Sequence, residues 1–247
     1  MKRVLLIGGS GFIGSHIKWA INKENILLYS PSSSELNLRD HNSISSFFHK
    51  YSDTIRRQSP FDYLFYSAMD KDRSGLVDLN LANLNRLLSF NNFYERFIHI
   101  SSRAVYDGLG SYHKVMPIEL SQIPCFPSNP YSYLKYREED LLYNMIPDKT
   151  VVLRVFDTST KSDLSDIIMR WKLQISKKGK CRNEILSPIT MERFYHIIQY
   201  IIAINIPCGP YNVCGNRIIS SSEVFTSEYM KGFLEDEEIE KTGYPSF

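Results

Sequence analysis

Short apolar runs and amphipathic stretches alternate along this chain. Residues 4–7 (VLLI), 26–29 (ILLY), 63–66 (YLFY), 97–100 (FIHI) and 151–155 (VVLRV) are brief and almost wholly apolar. That is the pattern of strands buried on both faces. Between them, residues 12–22, 41–51, 76–90 and 130–145 read as helices. Ile44, Phe47 and Phe48 stand at i, i+3 and i+4, and the third helix carries Leu76, Val77, Leu81, Leu84, Leu87 and Leu88 on its apolar side. Later helices are expected at 164–177, 191–203 and 222–234, with a short strand at 211–214. Strand and helix in alternation predict an α/β fold with a mostly parallel sheet covered on both faces. Residues 107–130, with Pro117, Pro124, Pro127 and Pro130, form one long irregular stretch, a length typical of a functional loop.

Composition narrows the picture little. With 247 residues, 43% hydrophobic and 23% charged, the chain is long enough for one α/β domain with a small added lobe. A net charge of +2 gives no footprint for nucleic acid or an anionic membrane. The four cysteines (Cys125, Cys181, Cys208, Cys214) form no Cys-x-x-Cys and have no histidine cluster beside them, so reduced thiols and no metal site are expected. The opening "MKRVLLIGGSG" imitates a secretion signal, but its apolar run stops after Ile7 at two glycines. The run 194–206 is too short to span a bilayer. His113 and His196 lie in no motif, and "EDEEIEK" at 235–241 reads as a solvated end. The expectation is a cytoplasmic protein.

The chemistry begins at "GGSGFIGS", between the first strand and the first helix. Gly8, Gly11 and Gly14 let the chain turn tightly and bring backbone close to a pyrophosphate, with Ser10, Phe12 and Ile13 beside it at the helix N-terminus. This predicts a dinucleotide-binding, Rossmann-type doubly wound sheet. A carboxylate usually ends the second strand to grip the adenosine ribose. Here Ser30 stands about there, which would not repel a 2′-phosphate and so favours NADP, with NAD possible. No arginine lies in the loop, and Arg39 is the nearest basic candidate.

The glycine loop, "SSRAVYDG" (101–108) and "YSYLK" (131–135) together resemble the extended short-chain dehydrogenases/reductases, the epimerase/dehydratase group, most of which act on nucleotide sugars. "SSSELNLRDHNSISSFF" is similar to the 4-keto-sugar reductase branch of that group. The resemblance implies catalysis by Ser102, Tyr131 and Lys135. It implies an adenine-holding turn at Asn37, Leu38 and Arg39, and cofactor contacts from Ser67, Ala68, Met69, Asn80, Phe156 and Thr158. It implies substrate contacts from Arg103 and Asp157. It further implies a cofactor domain over 1–156, with the 107–130 loop over the site, and a small substrate-binding lobe over 157–247 interleaved with late sheet elements. A homodimer through the helices near 76–90 and 130–145 would follow, with Leu134, Leu141, Leu142 and Met145 as interface or core.

The residues support this chemistry independently. Tyr131 is the only one of sixteen tyrosines with lysine at i+4, and i and i+4 share a helix face. A lysine ammonium beside a phenol favours the phenolate. A serine hydroxyl at a strand end can hold a carbonyl oxygen while the tyrosine transfers a proton. Where the family's dehydratases place Asp-Glu after the serine, this chain has Arg103 and Ala104, so no acid–base pair for losing water is present there. The cysteine that fucose synthases use for epimerisation at the Arg103 position is absent too. Basic residues in 170–182 read as a solvated helix face, with a diphosphate contact as the alternative. Three readings follow: an NADP-dependent 4-keto nucleotide-sugar reductase first, a nucleotide-sugar 4-epimerase second, and a non-catalytic cofactor sensor third.

Overall fold

Six short strands run parallel in one sheet in the order β2-β1-β3-β4-β5-β9. They come from a computed structural model that describes residues 1–21, 26–54, 61–70, 72, 75–109, 125–161, 164–178, 185–215 and 219–220. Along the chain the elements are β1 (Lys2–Ile7), α1 (Phe12–Ile21), β2 (Ile26–Tyr29), α2 (His41–Thr54), β3 (Phe61–Tyr66), α3 (Leu76–Leu88), β4 (Tyr94–Ser102), α4 (Pro130–Met145), β5 (Thr150–Val155), β6 (Thr158–Ser159), α5 (Ser165–Lys178), β7 (Ile185–Leu186), β8 (Ile189–Thr190), α6 (Met191–Ile204), β9 (Gly209–Val213) and β10 (Ile219–Ser220). β6 pairs with β8, and β7 with β10, in two small ladders apart from the main sheet.

Because side chains alternate across a strand, each strand feeds two cores. Val4, Leu6, Phe65, Ile98 and Leu153 face one side, against Ile17 and Ala20 of α1 and Phe194, Ile198 and Ile201 of α6. Leu5, Ile7, Leu64, Tyr66 and Phe97 face the other, against Ile44 and Phe48 of α2, Leu84, Leu87 and Leu88 of α3 and Leu142 of α4. Both faces are therefore covered, as the near-continuous apolar strands require. The chain order reverses beside β1, which pairs with β2 on one side and β3 on the other. Open parallel sheets bind ligands beyond the strand C-termini at such a switch point.

Several expectations change. β4 starts at Tyr94 rather than at 97, since Tyr94 and Arg96 pair with Phe61 and Tyr63, and the charges of Glu95 and Arg96 hid that extension. The buried stripe of α3 includes Asn80 and Asn83, so it is not an apolar face throughout. Leu134 and Leu142 are fully buried core, not surface for a partner. Beyond residue 156, where late sheet elements were expected to interleave with the lobe, α6 packs into the core and β9 joins the main sheet. No described helix is long and apolar enough to cross a membrane. Among the described residues, Cys125, Cys208 and Cys214 are free thiols and no metal-ligating cluster occurs. The expected helix at 222–234, the acidic end at 235–241, Cys181, His113 and residues 110–124 of the long loop fall outside the described residues.

Candidate active site

The turn from β1 into α1 is shaped by contact. Gly8 has φ +88°, and a Cβ there would lie 2.5 Å from the Ala68 nitrogen. A Cβ on Gly14 would sit 2.0 Å from the Gly8 carbonyl oxygen. Gly11 N–H donates to the Gly8 carbonyl at 3.0 Å and closes the turn. Only glycines allow this packing of loop, helix start and β3 end. It leaves the N-terminal N–H groups of α1 and its positive dipole end at the cleft, an arrangement that fits a dinucleotide pyrophosphate.

Two cavities meet along that cleft, sharing Gly11, Ser67 and Met69 in their walls. The first, about 360 Å³, is lined by Gly8, Ser10, Asn37, Leu38, Arg39 and Ala68, together with Asp70 and Asn83. The second, about 520 Å³, is lined by Phe12, Ile13, Ser102, Arg103, Tyr131, Lys135, Phe156, Asp157 and Thr158, with Asp107 and Arg170. Three residues expected at the cofactor line neither. Gly14 packs under Gly8, and Ser30 packs against Gly9, where an added Cβ would lie 2.2 Å from the serine oxygen. Asn80 is buried and braces the next turn, accepting from Asp70 N–H at 2.7 Å and donating to the Asp70 carbonyl at 3.0 Å.

Local chemistry fixes the second cavity. Asn129 caps α4: its side chain accepts from Ser132 N–H at 2.9 Å, and the Ser132 hydroxyl accepts from Asn129 N–H at 3.0 Å. With Pro130 at the first helical position, this reciprocal cap sets where Tyr131 emerges. Asn129→Ala is expected to cost about 1 kcal/mol, read as a lowered midpoint in urea unfolding. Tyr131 is 37% exposed at the cavity. Tyr133 instead accepts from Arg137 at 3.0 Å, and Tyr136 packs with Val105, Tyr106 and Phe156. Ser102 ends β4, and its oxygen accepts from Ala104 N–H at 3.2 Å, so its own O–H remains a donor.

Behind these side chains lies a buried frame. Arg154 of β5 donates to Glu139 of α4 at 2.6 Å through one terminal nitrogen and at 3.1 Å through Nε. Ser101 of β4 also donates to Glu139, at 2.5 Å. Tyr106 accepts from Arg154 and donates to Asn212 of β9. This frame ties α4 to three neighbouring strands. Arg103 is held by Asp157 at 2.6 Å and approaches Asp107 at 3.6 Å. Arg39 pairs with Asp70 at 2.6 Å, and that hydrogen bond holds the Asp70 carboxyl below its usual range. Asp70 and Asp107 join the site beside the expected residues, Asp107 from within the "SSRAVYDG" stretch. Arg170, within the stretch read as a solvated face, reaches the Thr158 carbonyl at 3.0 Å.

A doubly wound parallel sheet with a glycine turn at its switch point defines a nucleotide-cofactor-binding α/β protein. The chain belongs to the NAD dependent epimerase/dehydratase family, whose model matches residues 4–182. A comparison with curated proteins finds no match. Among solved structures the fold is similar to UDP-glucose 4-epimerase with UDP-glucose from Thermotoga maritima, at TM-score 0.67 and 15% identity, covering 99% of this chain and 84% of that one. It is also similar to dTDP-4-dehydrorhamnose reductase from Yersinia enterocolitica, at TM-score 0.66 and 17% identity, covering 89% and 77%. A third is dTDP-glucose 4,6-dehydratase from Bacillus anthracis in complex with NAD, at TM-score 0.66 and 15% identity, covering 96% and 83%.

Proposed function

We propose that this protein is an NADP-dependent reductase of a 4-keto nucleotide sugar of the 4-keto-6-deoxyhexose type. The observation that carries the reading is that Ser102, Tyr131 and Lys135 line one cavity that opens onto the glycine turn. Bound reduced cofactor would supply the hydride. Ser102, its oxygen already fixed by Ala104, donates its O–H to the substrate carbonyl. Tyr131 gives its phenolic proton to the oxygen as negative charge develops there. The Lys135 ammonium stabilises the phenolate left behind and has a donor for the cofactor ribose. Arg103 and Asp157 offer a paired donor and acceptor for sugar hydroxyls. The Arg103–Asp157 pair and the inert Ala104 leave no acid–base couple after Ser102, which weighs against loss of water. Incubation with NADPH or NADH and TDP-, GDP- or CDP-linked 4-keto-6-deoxy sugars tests this. Loss of the reduced-nicotinamide absorbance with one of them is expected. No loss with any, and oxidised cofactor retained through purification, would favour a 4-epimerase instead.

NADP preference is read from Arg39. To meet a 2′-phosphate it must exchange Asp70 for the ligand. Arg39→Ala is expected to weaken NADPH binding about tenfold or more, the worth of a charge-assisted hydrogen bond, and to leave NADH binding unchanged. Asp70→Asn is expected to tighten NADPH selectively. Fluorescence titration of both cofactors checks this, and equal losses for the two would contradict it. We read the protein as a cytoplasmic homodimer joined along α3 and α4, whose outer groove is lined by Leu81, Ala82 and Leu141 beside Asn85, Arg137, Asp140 and Asn144.

A further inference from the structure

Beneath Lys135 lies a charged cluster that the reaction as described leaves unused. His99 of β4 and Glu138 of α4 are completely buried, and Lys135 nearly so. Lys135 Nζ donates to Glu138 Oε2 at 2.8 Å and to the Ile100 carbonyl at 3.3 Å. His99 Nε2 lies 3.3 Å from the same carboxylate oxygen, without the alignment of a hydrogen bond. Tyr66 of β3 stacks on the His99 ring, centroids 5.9 Å apart. Two strands and a helix thus converge on one carboxylate. As a stabilising device the cluster is poor. Desolvating both ions is costly, and Glu138 Oε1 has no hydrogen-bond partner among the described residues, a further penalty. Its use lies in what it does to Lys135.

We propose that Glu138, with His99 behind it, is a positioning residue that anchors the Lys135 ammonium at the floor of the cofactor cleft. The inference rests on the reading of Lys135 as the cofactor's partner. An ammonium has three N–H donors. Two are taken by Glu138 and Ile100, which fixes the nitrogen and leaves one for the cleft. The anchor also keeps the lysine charged. Burial alone works to lower its pKa, but Glu138, with Tyr131 and Glu139 adding, outweighs burial and holds it above the ordinary 10.5. Burial likewise pushes Glu138 up, yet Lys135 and His99 hold it below its ordinary 4.5. Tyr66 faces the same carboxylate, and burial, then Glu138, push its phenol well up, so it stays neutral. The sign follows: Lys135 contributes fully below 10.5 and fails as pH rises through its higher folded value, while Glu138 contributes above 4.5 and fails as pH falls through its lower one.

The test is an NMR titration of protein carrying ¹⁵N-labelled lysine, with the Lys135 signal assigned by its loss in Lys135→Met. In the native protein the signal is expected to stay protonated above pH 10.5. In Glu138→Gln it is expected to deprotonate below that value, and NADPH affinity at about pH 9 to fall about 10- to 100-fold with a smaller loss at about pH 6. Identical titrations in the two proteins would overturn the proposal. Should Glu138→Gln not fold, the native titration decides alone, and deprotonation at or below 10.5 overturns it. If the lysine titrates as expected but the native protein binds no NADPH, the anchor stands and the cofactor reading falls.

Discussion

Tyr131→Phe is expected to lower turnover by about 10²–10⁴, the usual worth of a positioned proton donor, or about 3–5 kcal/mol of barrier. The substitution removes one oxygen at a half-exposed position in the first turn of α4. The cap formed by Asn129 and Ser132, and the Glu139–Arg154 frame, do not involve that oxygen. Stability and cofactor affinity should therefore change little while the rate collapses. That separation matters, because a residue serving only helix packing would show the opposite. Steady-state rates beside a thermal melt decide it. Near-normal turnover would remove Tyr131 from the chemistry.

Gly14→Ala is expected to abolish cofactor binding and destabilise the fold together. The added methyl would stand 2.0 Å from the Gly8 oxygen and 2.9 Å from the Gly9 Cα, all backbone, which no rotamer change relieves. Helix α1 would have to move away from the turn. It cannot do so freely, since Ile17, Ala20 and Ile21 are buried in the core against the sheet and α6. Strain of this kind costs about 1–3 kcal/mol, or a fall of about 3–10 °C in Tm for a chain of this length. Displacing the helix start also takes its N–H groups from the pyrophosphate position. NADPH titration and a thermal melt check both effects. Native-like binding would contradict the close-packed turn as the cofactor cradle.

Much of this was legible because it is local. Strand runs such as 4–7 and 151–155 announce themselves by composition, and helices such as 41–51 and 76–90 by their apolar spacing. The glycine turn and the Tyr131–Lys135 pair are short-range spacings, and the structure brings them to adjoining cavities. What stayed hidden depends on partners far apart in sequence. Nothing in the sequence marks Glu138 and Glu139. Each is buried against a cation and a strand side chain: Lys135 of the same helix and His99 of β4 for one, Arg154 of β5 and Ser101 of β4 for the other. Asp70 gains meaning only from Arg39, thirty-one residues earlier. Two-residue strands such as β6 and β8 exist through pairing alone and leave no periodicity to read. Ser30 directly follows β2, and its packing against Gly9 of the glycine turn depends on a contact between segments far apart in sequence.

The central claim is hydride delivery to a sugar carbonyl at the Ser102–Tyr131–Lys135 cavity. The most direct measurement is isotope transfer: NADPH carrying deuterium at both C4 positions of the nicotinamide is incubated with the native protein and the 4-keto-6-deoxy nucleotide sugar, and the product is examined by NMR. The account predicts deuterium on C4 of the product sugar, in proportion to NADPH consumed, and none with Tyr131→Phe over the same time. Product without deuterium, or conversion with no NADPH consumed, would contradict it.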